Sequence, residues 1–112
     1  MATEERKLVE LADDSCEREA KGEGWRLVEF YSQWCPHCRA FRPTLERVAS
    51  EYTGPVGFYA ADVEHCREAA ERLGIMSIPT LVLLRDGEQV EMHVGGMGAS
   101  ELVEWLKEKT GD

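Results

Sequence analysis

At 112 residues with 43% hydrophobic content, the chain can bury one modest core and little more. Its 22 acidic against 13 basic side chains give a formal charge of −9, which argues against nucleic acid or an anionic membrane as partner, since both call for basic surface. Near Met1 no basic region precedes an apolar run, and no apolar stretch approaches the roughly 18 residues of a membrane span, so a cytoplasmic protein is the default expectation.

The four cysteines are not read as a disulfide scaffold, because the apolar content suffices for a core. Residues 1–112 are expected to form a single domain, without repeats, linkers or low-complexity segments.

In chain order, Lys7 to Leu11 reads as a short edge strand. Asp13, Asp14 and Ser15 are helix-start residues, so Cys16 to Lys21 is expected as a short helix before the break at Gly22 and Gly24. Trp25 to Tyr31 is a buried central strand carrying one acid, Glu29. From Cys35 to about Tyr52, apolar residues recur at helical spacing (Phe41, Leu45, Val48, Ala49, Tyr52), with Pro43 expected to kink that helix. Gly54-Pro55 ends it, and Val56 to Val63 makes a further strand.

His65 to Leu73 is a helix closed by Gly74. Thr80 to Leu84 and Gln89 to Val94 pair through a tight Asp86-Gly87 turn. Ser100 is expected to cap a last helix with Leu102, Val103 and Leu106 inward. The order β-α-β-α-β-α-β-β-α implies an α/β fold: a central mixed sheet of four or five strands flanked by about four helices.

The sharpest signal is Cys35-Pro36-His37-Cys38, two cysteines spaced by two residues where a strand gives way to a helix. In that setting C-x-x-C reads as a redox dithiol. Cys35 falls at the helix N-terminus, where free N–H groups and the helix dipole favour a thiolate. Cys38 lies one turn on, within reach of a small disulfide ring. The competing reading is half of a zinc site, with His65 and Cys66 as further ligands, but adjacent ligands chelate poorly and no metal is expected. Cys16 is read as a buried, inert thiol and Cys66 as a passive one at a helix start.

V-E-F-Y-S-Q-W-C-P-H-C at 28–38, Pro43, G-I-M-S-I-P-T at 74–80, D-G at 86–87 and V-G-G at 94–96 together resemble the thioredoxin superfamily over nearly the whole chain. The resemblance implies a thioredoxin fold, a cis Pro79 facing the dithiol, and thiol–disulfide exchange with protein substrates, with no cofactor. Pro36-His37 between the cysteines is similar to periplasmic disulfide oxidases, whereas V-E-F-Y-x-x-W-C is closer to protein disulfide isomerases. Ala60 stands where a lysine often partners the buried acid.

On this likeness Cys35 is the nucleophile, Cys38 the resolving cysteine, His37 a donor toward the Cys35 sulfur, and Glu29 the acid/base that moves the Cys38 proton. Such a pair is expected to be more oxidising than a Gly-Pro thioredoxin, between about −270 mV and about −120 mV. Trp34, Pro36, Met76, Ile78, Pro79 and Gly95, with Ile75 and Met97 beside them, are the candidate substrate surface, where an extended peptide would pair beside Ile78. The expected partners are protein disulfides or dithiols and a thioredoxin-reductase-like or other redox partner, acting on a monomer. The alternative is a redox-sensitive thioredoxin-like chaperone or adaptor with little turnover.

Overall fold

A computed structural model describes residues 8–13 and 15–111. Lys7 and Asp14, which fall in the expected first strand and first helix start, lie outside the described residues. The elements follow as β1 (Leu8–Leu11), α1 (Cys16–Ala20), β2 (Trp25–Tyr31), α2 (Pro36–Glu51), β3 (Val56–Asp62), α3 (Arg67–Arg72), β4 (Thr80–Arg85), β5 (Glu88–Val94) and α4 (Ala99–Thr110). They form one mixed sheet ordered β1-β3-β2-β4-β5. β1, β3 and β2 run parallel, and β4 and β5 are antiparallel to their neighbours. The fold is the thioredoxin fold.

Strand alternation divides the core in two. Val28, Phe30, Ala61, Val82 and Leu84 pack with α1 and α3 on one face. Leu27, Phe58, Leu81 and Leu83 pack with α2 and α4 on the other. β2 lies mid-sheet, in register with both β3 and β4, so whatever side chain stands at its centre is sealed from water. The Asp86-Gly87 turn has φ of 52° and 87°, as a two-residue primed hairpin requires.

Two expectations are corrected. Ser100 lies inside α4, whose N-cap is Gly98; the Gly98 N–H donates to Glu101 Oε1 at 3.4 Å, so a carboxylate three residues on serves the terminus. Cys16 and Cys66 are neither inert nor passive thiols: they form a disulfide with Cα atoms 5.7 Å apart. The bond exists because α1 and α3 share a face of the sheet and each cysteine opens its helix toward the core between them. It also removes Cys66 as a zinc ligand. Among the described residues no cluster of His, Cys, Asp or Glu is placed to hold a metal. No helix among them is long and apolar enough to cross a membrane.

Candidate active site at the start of the second helix

The central strand β2 ends at Tyr31, and a short turn places Cys35 at the mouth of α2. In that turn Ser32 Oγ accepts the Trp34 N–H at 3.1 Å, and Ser32 O accepts the Cys35 N–H at 3.3 Å. Cys35 is the extended N-cap residue and Pro36 supplies a first helical position that needs no donor. Cys35 Sγ then takes the role a serine oxygen usually fills, accepting the Cys38 N–H at 3.2 Å. The same sulfur lies 3.9 Å from the Ile78 carbonyl oxygen. One helix N–H, that of Cys38, thus meets the sulfur at the positive end of the helix dipole.

The two thiols are free and unequal. Cys35 is half-buried, whereas Cys38 is only 3% exposed. Burial pushes the Cys38 thiol up to about 12, reinforced by its hydrogen bond with Cys35 and by the charges of Cys35 and Glu29, against a lowering backbone bond to Ser32. Cys38 therefore needs a base before it can attack.

Glu29 occupies the sealed centre of β2, opposite Ala60 and Leu81, on the face covered by α2. It is fully buried, and its Oε2 has no hydrogen-bond partner. Burial raises its carboxyl to about 7, against the attraction of Arg42 and with help from the repulsion of Glu10. An acid half-ionised near neutrality can both take and return a proton.

Its cationic neighbour does not come from β3. Arg42, one turn beyond Cys38 on α2, brings Nη2 to 3.5 Å from Glu29 Oε1 and Nη1 to 3.8 Å from Glu10 Oε1. Its guanidinium lies 4.5 Å from the Tyr31 ring centroid, and Tyr31 Oη donates to Glu10 Oε2 at 2.5 Å. None of Arg42, Glu10 and Tyr31 is among the candidates read from sequence. The spacing of four between Cys38 and Arg42 was the available signal.

The segment before β4 faces the dithiol. The Ile78–Pro79 peptide is cis, Thr80 Oγ1 donates to Ser77 O at 2.6 Å, and the Gly95 N–H donates to Pro79 O at 2.7 Å. Gly95 has φ of 98°, which a side chain would strain. Trp34 and Met76 are 76% and 95% exposed, large apolar groups left in water beside the site segments. Pro36 is exposed, Ile78 half-buried and Pro79 buried. Ile75 and Met97 are half-buried and pack against the α1/α3 core and the α2/α4 core respectively. His37 is exposed on the first turn and, among the described residues, hydrogen-bonds to neither cysteine.

Residues 7–108 match the thioredoxin family model. Thioredoxin C-2 of Corynebacterium nephridii is 38% identical over 80 residues, 71% of this chain and 74% of its own. Thioredoxin of Staphylococcus haemolyticus is 33% identical over 99 residues, 88% of this chain and 94% of its own. The crystal structure of thioredoxin from Malassezia sympodialis superposes with a TM-score of 0.81 at 25% identity, covering 98% of this chain and 97% of that one. Agreement in fold with that structure, and in sequence with relatives aligned almost end to end, places this chain in the thioredoxin family of thiol–disulfide oxidoreductases.

Proposed function

We propose that the protein exchanges disulfides with protein substrates through Cys35 and Cys38. The observation that carries this reading is the inequality of the sulfurs: Cys35 Sγ caps the helix within reach of an incoming disulfide, and Cys38 waits buried one turn behind it. In the reducing direction the Cys35 thiolate attacks one substrate sulfur, forming a mixed disulfide, and the other substrate sulfur leaves and takes a proton from water. Glu29 accepts the Cys38 proton. The Cys38 thiolate attacks Cys35 Sγ, closing the Cys35–Cys38 bond and releasing the second substrate thiol. Run backwards, the same steps oxidise a dithiol, and a thioredoxin-reductase-like or other dithiol partner resets the pair.

An extended substrate pairs with the backbone beside Ile78, across from Cys35, with Trp34, Pro36, Met76, Pro79 and Gly95 forming the flanking surface. His37 adds donor capacity near the helix mouth and makes the pair more oxidising than a Gly-Pro sequence would. The protein works as a monomer in this scheme.

The test is insulin reduction by dithiothreitol with catalytic protein, alongside trapping of mixed disulfides. Wild type should turn over, Cys38→Ser should accumulate mixed disulfides through Cys35, and Cys35→Ser should do neither. Negligible turnover with few trapped species would instead make the dithiol the switch of a redox-sensitive adaptor.

A further inference from the structure

We propose that Arg42 is the positioning residue that sets the charge of Glu29, and through it the rate at which Cys38 gives up its proton. The inference rests on the proton role given to Glu29 above and adds the group that controls it. Arg42 follows Cys38 by four residues, so the two side chains leave α2 on one face, toward the acid beneath.

The guanidinium bridges inside and outside. It sits 3.5 Å from Oε1 of the fully buried Glu29 and 3.8 Å from the half-exposed Glu10, and is itself 27% exposed. Stacking on Tyr31 holds its plane, and Tyr31 in turn donates to Glu10. Glu10 thereby anchors Arg42 at its outer end while repelling Glu29, so the attraction from Arg42 is what opposes both burial and Glu10.

The titratable and charged groups around Glu29 among the described residues are Arg42 and Cys38 from α2 and Glu10 from β1, with Tyr31 of its own strand meeting Glu10 and Arg42. Its register neighbours on β3 and β4, Ala60 and Leu81, are apolar. Arg42 is thus the cation that keeps part of Glu29 ionised at neutral pH. A cavity of about 280 Å³ lined by Tyr31, Ser32, Gln33, Cys38, Arg39 and Arg42 gives water access beside Cys38 and Arg42. Glu29 does not line this cavity, so Arg42 is the charged group that spans from it to the buried carboxyl.

The experiment follows the Glu29 carboxyl by carbon-13 NMR through a pH titration of the reduced protein. It also measures the single-turnover rate of mixed-disulfide resolution against pH, in wild type, Arg42→Met, Arg42→Lys and Glu29→Gln. In Arg42→Met the Glu29 midpoint should rise by about half a pH unit or more, about a threefold weaker acid. The rising limb of the resolution rate should move by the same amount, and Arg42→Lys should return most of both. An unmoved limb in Arg42→Met, or an Arg42→Lys protein displaced as far as Arg42→Met, overturns the inference. If Glu29→Gln slows resolution while Arg42→Met does not, Glu29 works without Arg42 and only this inference fails. If Glu29→Gln leaves rate and limb unchanged, the proton role and the inference fail together.

Discussion

Replacing Cys16 and Cys66 together by alanine opens a cross-link between positions 50 residues apart. A loop of that length regains closure entropy in the unfolded chain worth about 4 kcal/mol at 25 °C. Both residues are 2% exposed in the core between α1 and α3, so the lost sulfurs also leave a small void that adds to the cost. Unfolding entropy near 2.1 cal/mol/K per residue amounts to about 235 cal/mol/K for a chain of this size, so 4 kcal/mol corresponds to a fall in Tm of about 17 °C.

The assay is a thermal melt followed by circular dichroism without reductant, paired with alkylation of the unfolded protein. With Cys35 and Cys38 reduced, wild type should take label at two cysteines and not four. Four labelled thiols in wild type would show the pair unbonded. Two labelled thiols with a Tm change below about 4 °C, about 1 kcal/mol, would refute the entropy argument itself and mean the unfolded chain is already held together there.

Three further outcomes follow. Glu29 has its carboxyl raised from 4.5 to about 7, so the native state holds a proton the unfolded chain has lost; stability is full below pH 4.5 and falls as pH rises to about 7. That loss is about 3 kcal/mol, and urea denaturation of Glu29→Gln between pH 4 and 8 should show a correspondingly flatter profile; an unchanged slope would sink the assignment. His37→Ala, lacking a hydrogen bond to either sulfur, should make the Cys35–Cys38 pair more reducing by less than about 30 mV in a glutathione buffer, and a larger change would mean direct contact with a sulfur. Gly96→Ala would put a methyl carbon 2.8 Å from Phe41 Cδ1, and Phe41 is buried, so urea denaturation should report a loss of about 1–3 kcal/mol; no loss would show that Phe41 yields freely.

Legibility in the sequence followed range. The strand and helix order, the dithiol, the sealed acid on β2 and the Asp86-Gly87 hairpin rest on periodicity and turn chemistry within a few residues, and each is where the pattern placed it. The last helix start was misread because Ser100 is a better N-cap type than Gly98, yet the reach of Glu101 back to Gly98 decides the boundary. Cys16–Cys66 was missed because pairing across 50 residues depends on α1 and α3 sharing a face, which composition does not report. Arg42 was missed because the partner of Glu29 was sought on the neighbouring strand at Ala60, whereas the helix above supplies it.

That distribution of cysteines has a chemical consequence. A protein that passes disulfides through one pair of sulfurs exposes its own second pair to attack by the same thiolates. Exchange requires in-line access to a sulfur as well as a thiolate. Cys16 and Cys66 are 2% exposed on the α1/α3 face of the sheet, and the dithiol opens from α2, whose core residues pack on the opposite face. The sheet therefore stands between the two pairs, so in the proposed exchange a Cys38 thiolate would not meet the Cys16–Cys66 bond. Burial that makes Cys38 a reluctant acid is the same property that keeps the structural disulfide out of exchange. In the exchange proposed above, the chain would hold one bond permanently and make and break the other, and the difference would lie in access and in the acid beside Cys38, not in the cysteines themselves.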